Sequence, residues 1–142
     1  MSKSSPPLAG AMLSHYETVQ EAERLASGLG SLELVRSQEL IDRALPSPPA
    51  VVLDVGGGPG VYSCLLARRG YEVHLIDPVP KHVDQAKRAS EGQPDYPIAS
   101  VNLGDARSLD KADASSEAVL LMGPLYHLTS HKDRVAALLE AY

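Results

Sequence analysis

From residue 51 onward, short apolar runs alternate with longer stretches whose apolar residues recur every three or four positions. The run "VVLDV", 51–55, is β-branched and nearly continuous, the pattern of a strand buried on both faces. "YEVHLID", "IASVNLGD" and "EAVLLMG" predict three more strands. Between the first two, "GVYSCLLARRG" predicts a helix closed by Arg68, Arg69 and Gly70, as a helix C-terminus prefers. "PKHVDQAKRASEG" predicts a helix opened by Pro80 and ending near Gly92, with "QPDYP" as a loop after it. "SHKDRVAALLEAY" predicts a last helix, capped by Ser130 and Asp133, with Val135, Leu138, Leu139 and Tyr142 on its apolar face.

The first 50 residues carry helical periodicity only. Residues 1–12 are rich in Ser and Pro and predict a flexible tail. "SHYETVQEAERLASG" predicts a helix with Ser14 and Glu17 at capping-box spacing and Gly28 as its stop. "SLELVRSQELIDRAL" predicts a second helix with Leu34, Val35, Ile41 and Leu45 on its apolar stripe, ended by Pro46, Pro48 and Pro49. The whole describes one domain over 13–142, with helices across 13–46 leading into an alternating core over 50–142. Strands alternating with helices predict βαβ units and a mostly parallel α/β sheet covered on both faces.

Composition narrows the picture. With six Tyr and no Trp or Phe, aliphatic side chains must fill the interior. The net charge of -5, with no run of basic residues, argues against a nucleic-acid or anionic-membrane partner. No apolar run approaches the roughly 20 residues of a membrane-spanning helix, and the N-terminus lacks the apolar core of a signal peptide. The single cysteine, Cys64, excludes an intramolecular disulfide and reads as a small core residue. The expectation is a soluble cytoplasmic protein.

The candidate chemistry sits after the strands. In such folds ligands bind beyond the carboxyl ends of the strands. There "DVGGGPG" offers Gly56, Gly57, Gly58 and Gly60, residues that permit unusual backbone angles and let a ligand approach the main chain. The next helix adds free N–H groups. A nicotinamide turn reads G-x-G-x-x-G, whereas Gly56, Gly58 and Gly60 give G-x-G-x-G. Asp77, 21 residues after Gly56 at the end of the second strand, suits both ribose hydroxyls of an adenosine, whether in NAD or in S-adenosylmethionine; it also suits the start of the following helix. Asp105 in "GDARSL" could accept the exocyclic amine of adenine or serve as a turn residue. "LMGPLYHL" brings Tyr126 and His127 to the same cleft, where His127 suits either a general base or a loop-fixing histidine. His127 and His131 have i,i+4 spacing, but nothing nearby completes a metal site.

In order, "VLDVGGGPG", "HLIDP", "NLGDARSL" and "LLMGPLYHL" resemble class I S-adenosylmethionine-dependent methyltransferases, particularly the methyltransferase type 11 group acting on small molecules. The resemblance implies S-adenosylmethionine as cofactor and a small-molecule methyl acceptor. It implies that Asp54 orients the glycine turn and faces the methionine ammonium. Gly56, Gly57, Gly58 and Gly60 would let the backbone approach the methionine moiety. Asp77, followed by Pro78, would bind the ribose, Asp105 and the Ala106 backbone the adenine, and Met122 and Gly123 the methionine part. Tyr16 would be a lid residue, and Tyr126 and His127 would lie nearer the acceptor. Members of the group continue past this point with further strands. The resemblance therefore implies a truncated Rossmann-like sheet of order 3-2-1-4, with a fourth-strand edge available for self-association. A non-catalytic cofactor-binding or interaction module and an NAD-dependent oxidoreductase remain as alternatives.

Overall fold

The computed structural model describes residues 21–26 and 28–142. The N-terminal tail, the Ser14/Glu17 capping pair and Tyr16 lie outside the described residues. Helix α1 spans Glu21–Ala26 and α2 Leu29–Ala44. Strand β1 (Val51–Val55) leads into α3 (Val61–Arg68), β2 (Glu72–Asp77) into α4 (Pro80–Glu91), and β3 (Ser100–Leu103) through a long connection into β4 (Ala118–Leu120). A single turn of helix, α5 (Pro124–His127), precedes α6 (His131–Ala141). All strand pairs are parallel, and the sheet order is β3-β2-β1-β4, as expected.

Both faces of β1 are buried because its side chains alternate between two aliphatic clusters. Val52 packs with Ile41, Leu66, Val73, Leu75 and Ala86 under α2, α3 and α4. Leu53 and Val55 pack with Ile76, Ala106, Leu128 and Ala137 under α6. The same alternation carries Asp54 to the first face, beneath α3. Glycines frame α3: Gly60 at its N-cap is left-handed (φ 87°), and Gly70 follows its last turn with φ 94°.

Three expectations are corrected. Val35, predicted on the buried stripe of α2, is 54% exposed, because only Ile41 and Leu45 of that stripe reach the sheet. The predicted apolar face of α6 also points outward: Val135, Leu138, Leu139 and Tyr142 are all exposed. The helix docks instead through Ala137, which is small enough to bring the backbones together, and through polar ties at its ends. The Ser130/Asp133 capping box does not form. No side chain caps the α6 N-terminus, and Asp133 accepts from the Arg107 guanidinium at 3.2 Å.

Candidate active site

The carboxyl ends of the strands open into one cleft. It is built first by the turn after β1. Gly56 (φ 72°) and Gly58 (φ 57°) adopt left-handed backbone that L side chains rarely adopt. Gly57 is held differently: a Cβ there would sit 2.7 Å from Leu75 and 2.8 Å from Asp54 Oδ2. A Cβ on Gly58 would meet only His82 Nδ1, at 4.0 Å. The main chain at Gly58 is thus bare toward the cleft, which is what close approach by a ligand requires.

Two buried carboxylates support this turn. Asp54, 4% exposed, accepts the Ser63 hydroxyl at 2.6 Å. Burial pushes its carboxyl up to about 6; the Ser63 hydrogen bond opposes that shift, and the neighbouring Asp77 charge adds to it. Asp77, also 4% exposed, is tied on both oxygens. Oδ2 accepts the Gly58 N–H at 2.9 Å, and Oδ1 accepts the Val79 N–H at 2.9 Å and faces His82 Nδ1 at 3.1 Å. A carboxylate only accepts, so His82 Nδ1 carries the proton of that pair. Asp77 therefore fastens the glycine turn of β1 to the start of α4. It has about four acceptor positions, of which protein donors take three, leaving one for a ligand.

The loop after β3 closes another wall. Gly104 passes so close to β2 that a Cβ would lie 2.6 Å from Ile76 Cγ2. Asp105 then forms an Asx turn, accepting the Arg107 N–H at 2.9 Å, while the Arg107 guanidinium grips both of its oxygens. Burial raises the Asp105 carboxyl, but the bonds from Arg107 outweigh it and hold the group below the usual carboxylate range. The Tyr126 and His127 rings, which also line the cleft, meet in a tilted arrangement with centroids 4.2 Å apart and an interplanar angle of 44°, and Tyr126 is 71% exposed.

Asp54, Gly56, Gly57, Gly58, Asp77, Pro78, Asp105, Ala106, Met122, Gly123, Tyr126 and His127 all line this cleft. Gly60 does not. A Cβ there would meet Ala86 at 3.1 Å and Ile98 at 3.4 Å, so the missing side chain lets α3 sit close against α4. Sequence reasoning overlooked Ser63, His82 and Arg107. Ser63 lies on the first α3 turn above Asp54, and Arg107 lies two residues from Asp105; both spacings are local signals for carboxylate partners. Arg24 and Glu33, paired at 2.7 Å, also reach the cleft from α1 and α2, which no pattern in the sequence predicts. Among the described residues no group of His, Cys, Asp and Glu could hold a metal ion.

A parallel sheet with a glycine turn after β1 and an acidic residue ending β2 defines a class of nucleoside-binding domains. The comparisons with known proteins specify it. Residues 52–142 match the methyltransferase domain family, and the chain belongs to that family, whose class I members use S-adenosylmethionine. An uncharacterized methyltransferase of Mycobacterium tuberculosis is 34% identical over 98 residues, which is 67% of this chain and 38% of the relative. A SAM-dependent methyltransferase of Methanosarcina mazei superposes with TM-score 0.62 at 25% identity, over 71% of this chain and 49% of that one. Magnesium protoporphyrin IX methyltransferase from Synechocystis, solved with bound SAM, shares the fold with TM-score 0.68 at 16% identity, over 99% of this chain and 73% of that one. The matched region thus spans about two fifths of the length of the curated relatives. Among the described residues no helix is long and apolar enough to cross a membrane.

Proposed function

We propose that the chain binds S-adenosylmethionine in this cleft and transfers its methyl group to a small-molecule acceptor. One observation carries the reading: the bare backbone at Gly58, tied to Asp77, opens on a cleft that Asp54, Asp77 and Asp105 all line. The spacing of the glycine turn and the family membership favour S-adenosylmethionine over NAD. When bound, the cofactor would supply an activated sulfonium methyl to the acceptor, with S-adenosylhomocysteine as the leaving group.

The residues of the chain mainly bind and align, since proximity and orientation supply most of the acceleration for an activated methyl. In this reading Asp54 faces the ammonium of the methionine part, and Met122 and Gly123 line its other side. The remaining acceptor position of Asp77 takes a ribose hydroxyl beside Pro78, while Asp105 and the Ala106 backbone take adenine. Tyr126 and His127 face the acceptor. His127 receives a proton where the acceptor must lose one. Tyr16 is proposed as a lid residue over the cofactor. The outer edge of β4, unpaired among the described strands, together with exposed Leu138 and Leu139 on α6, supports self-association as a further property.

Calorimetric titration with S-adenosylhomocysteine and with NAD tests the cofactor. Binding of NAD alone would refute the reading. Asp77→Ala should weaken S-adenosylhomocysteine by about 1–3 kcal/mol, the scale of a lost charged hydrogen bond; unchanged affinity would remove Asp77 from the ribose site. A screen of small acceptors for release of S-adenosylhomocysteine separates an enzyme from a module that binds the cofactor without turnover.

A further inference from the structure

Arg107 is the one described cation anchored in the adenine-side wall by two carboxylates from different elements. Its side chain is 6% exposed. Nε donates to Asp105 Oδ1 at 3.0 Å and to Oδ2 at 3.2 Å, Nη2 donates to Oδ2 at 2.6 Å, and the backbone N–H reaches Oδ1 at 2.9 Å. Nη1 donates to Asp133 of α6 at 3.2 Å. The planar guanidinium is thus fixed on one edge by α6 and grips Asp105 with the other. A lysine ammonium could not reproduce that fork.

The consequence lies in what Asp105 has left. Its side chain is 27% exposed and lines the cleft. Oδ1 is filled by the backbone N–H and Nε. Oδ2 carries Nη2 at 2.6 Å and shares the single Nε proton with Oδ1, so three donated protons meet about four acceptor positions and one is left over. With no proton to offer, a clamped carboxylate can meet an N–H but not a carbonyl.

We propose that Arg107 is a positioning residue that sets the nucleobase choice of the site, holding Asp105 so that one outward acceptor takes an N–H of a 6-amino purine and repels the carbonyl of a 6-oxo purine. The proposal rests on the S-adenosylmethionine reading above and adds a specificity determinant to it. Burial and the bonds from Arg107 act in opposite senses on the Asp105 carboxyl, and the bonds prevail. Loss of the fork therefore frees Asp105 both to rotate and to take up a proton, and a protonated carboxyl can donate to a 6-oxo group.

The test is a ratio. Calorimetry on the whole chain compares S-adenosylhomocysteine with S-inosylhomocysteine, which differs at the purine 6-position. The wild type should prefer the adenosyl compound by roughly tenfold or more, the scale of a charged hydrogen bond. Arg107→Lys should bring the two affinities within about threefold of each other, since the fork is lost. Asp133→Ala, which releases only the anchored edge, should give an intermediate ratio. A merely structural role would lower the melting temperature and both affinities together, leaving the ratio at the wild-type value; that result overturns the proposal. If Arg107→Lys does not fold, the Asp133→Ala ratio decides, and a wild-type ratio there overturns it equally. A wild type that binds both compounds alike refutes this inference while leaving the cofactor reading standing. A wild type that binds neither refutes both.

Discussion

Replacing Asp54 by Asn should remove a pH dependence from both folding and cofactor binding. The carboxyl is buried beneath the glycine turn, and its folded value lies at about 6 against an ordinary 3.8. Desolvation drives the rise, overcoming the Ser63 hydroxyl. At ~1.36 kcal/mol per pH unit, a rise from 3.8 to about 6 corresponds to ~3 kcal/mol. The folded-state value is raised, so the folded chain holds the proton more tightly than the unfolded one. The associated stabilisation is complete below 3.8 and is lost as pH rises through about 6. Urea denaturation of the ligand-free protein should show this loss relative to Asp54→Asn. In the proposed function binding adds the opposite pull, because a cationic ammonium beside Asp54 would favour its ionised form. S-adenosylhomocysteine should therefore expel a proton below about pH 6, and its affinity should rise by up to about tenfold per pH unit there. The ammonium and carboxylate of the ligand titrate outside that window. Calorimetry in buffers of different ionisation enthalpy reads the released proton directly. Heats that do not depend on the buffer, or the same pH slope in Asp54→Asn, would refute the reasoning.

Other expectations follow from single contacts. Ser63→Ala removes the hydroxyl 2.6 Å from Asp54, so the pH midpoint of binding should move upward, and urea titration at pH 7 should show a loss of about 1–3 kcal/mol. Gly57→Ala places a Cβ against Leu75 and Asp54, and the overpacking should cost about 1–3 kcal/mol of stability. Gly58→Ala meets no close neighbour but sits at φ 57°, so urea titration should show a loss of about 1–2 kcal/mol from the left-handed backbone, and calorimetry should show cofactor affinity falling as well. His127→Ala should leave S-adenosylhomocysteine affinity nearly unchanged and reduce turnover roughly hundredfold with an acceptor that must lose a proton; equal turnover would assign His127 to the loop alone.

Much of this architecture is legible in the chain because its signals are local. The β-branched run at Val51–Val55 has no polar face, and four glycines within five residues after it fit nothing but a tight turn. Pro80 at the start of α4 and Gly70 after α3 mark boundaries that the structure reproduces closely. What failed was long-range. The α6 pattern offered two faces, an aliphatic one and one centred on Ala137, and periodicity cannot tell that the second meets the sheet. Asp133 had capping-box spacing in sequence, but Arg107, 26 residues away, donates to it from the guanidinium instead. The packing of Gly60 against Ala86 and Ile98 was equally hidden, since both come from later elements. Asp77 carried two readings, ribose ligand and helix start. The structure shows why both suggested themselves, since Oδ1 does hold the Val79 N–H at the start of α4 while the residue lines the cleft.

Gly56 and Pro124 set a condition for redesign. A Cβ on Gly56 would fall 2.6 Å from Pro124 Cγ, so the turn after β1 and the first residue of α5 are packed as one piece. Anyone transplanting the Pro124–His127 segment from a relative, to test its proposed part in acceptor choice, would be replacing a surface on which the glycine turn rests. A graft that keeps a proline-sized ring opposite Gly56 preserves the cradle. One that places a bulkier side chain there would reshape the proposed methyl-donor site along with the proposed acceptor site, and loss of activity would then say nothing about the new acceptor.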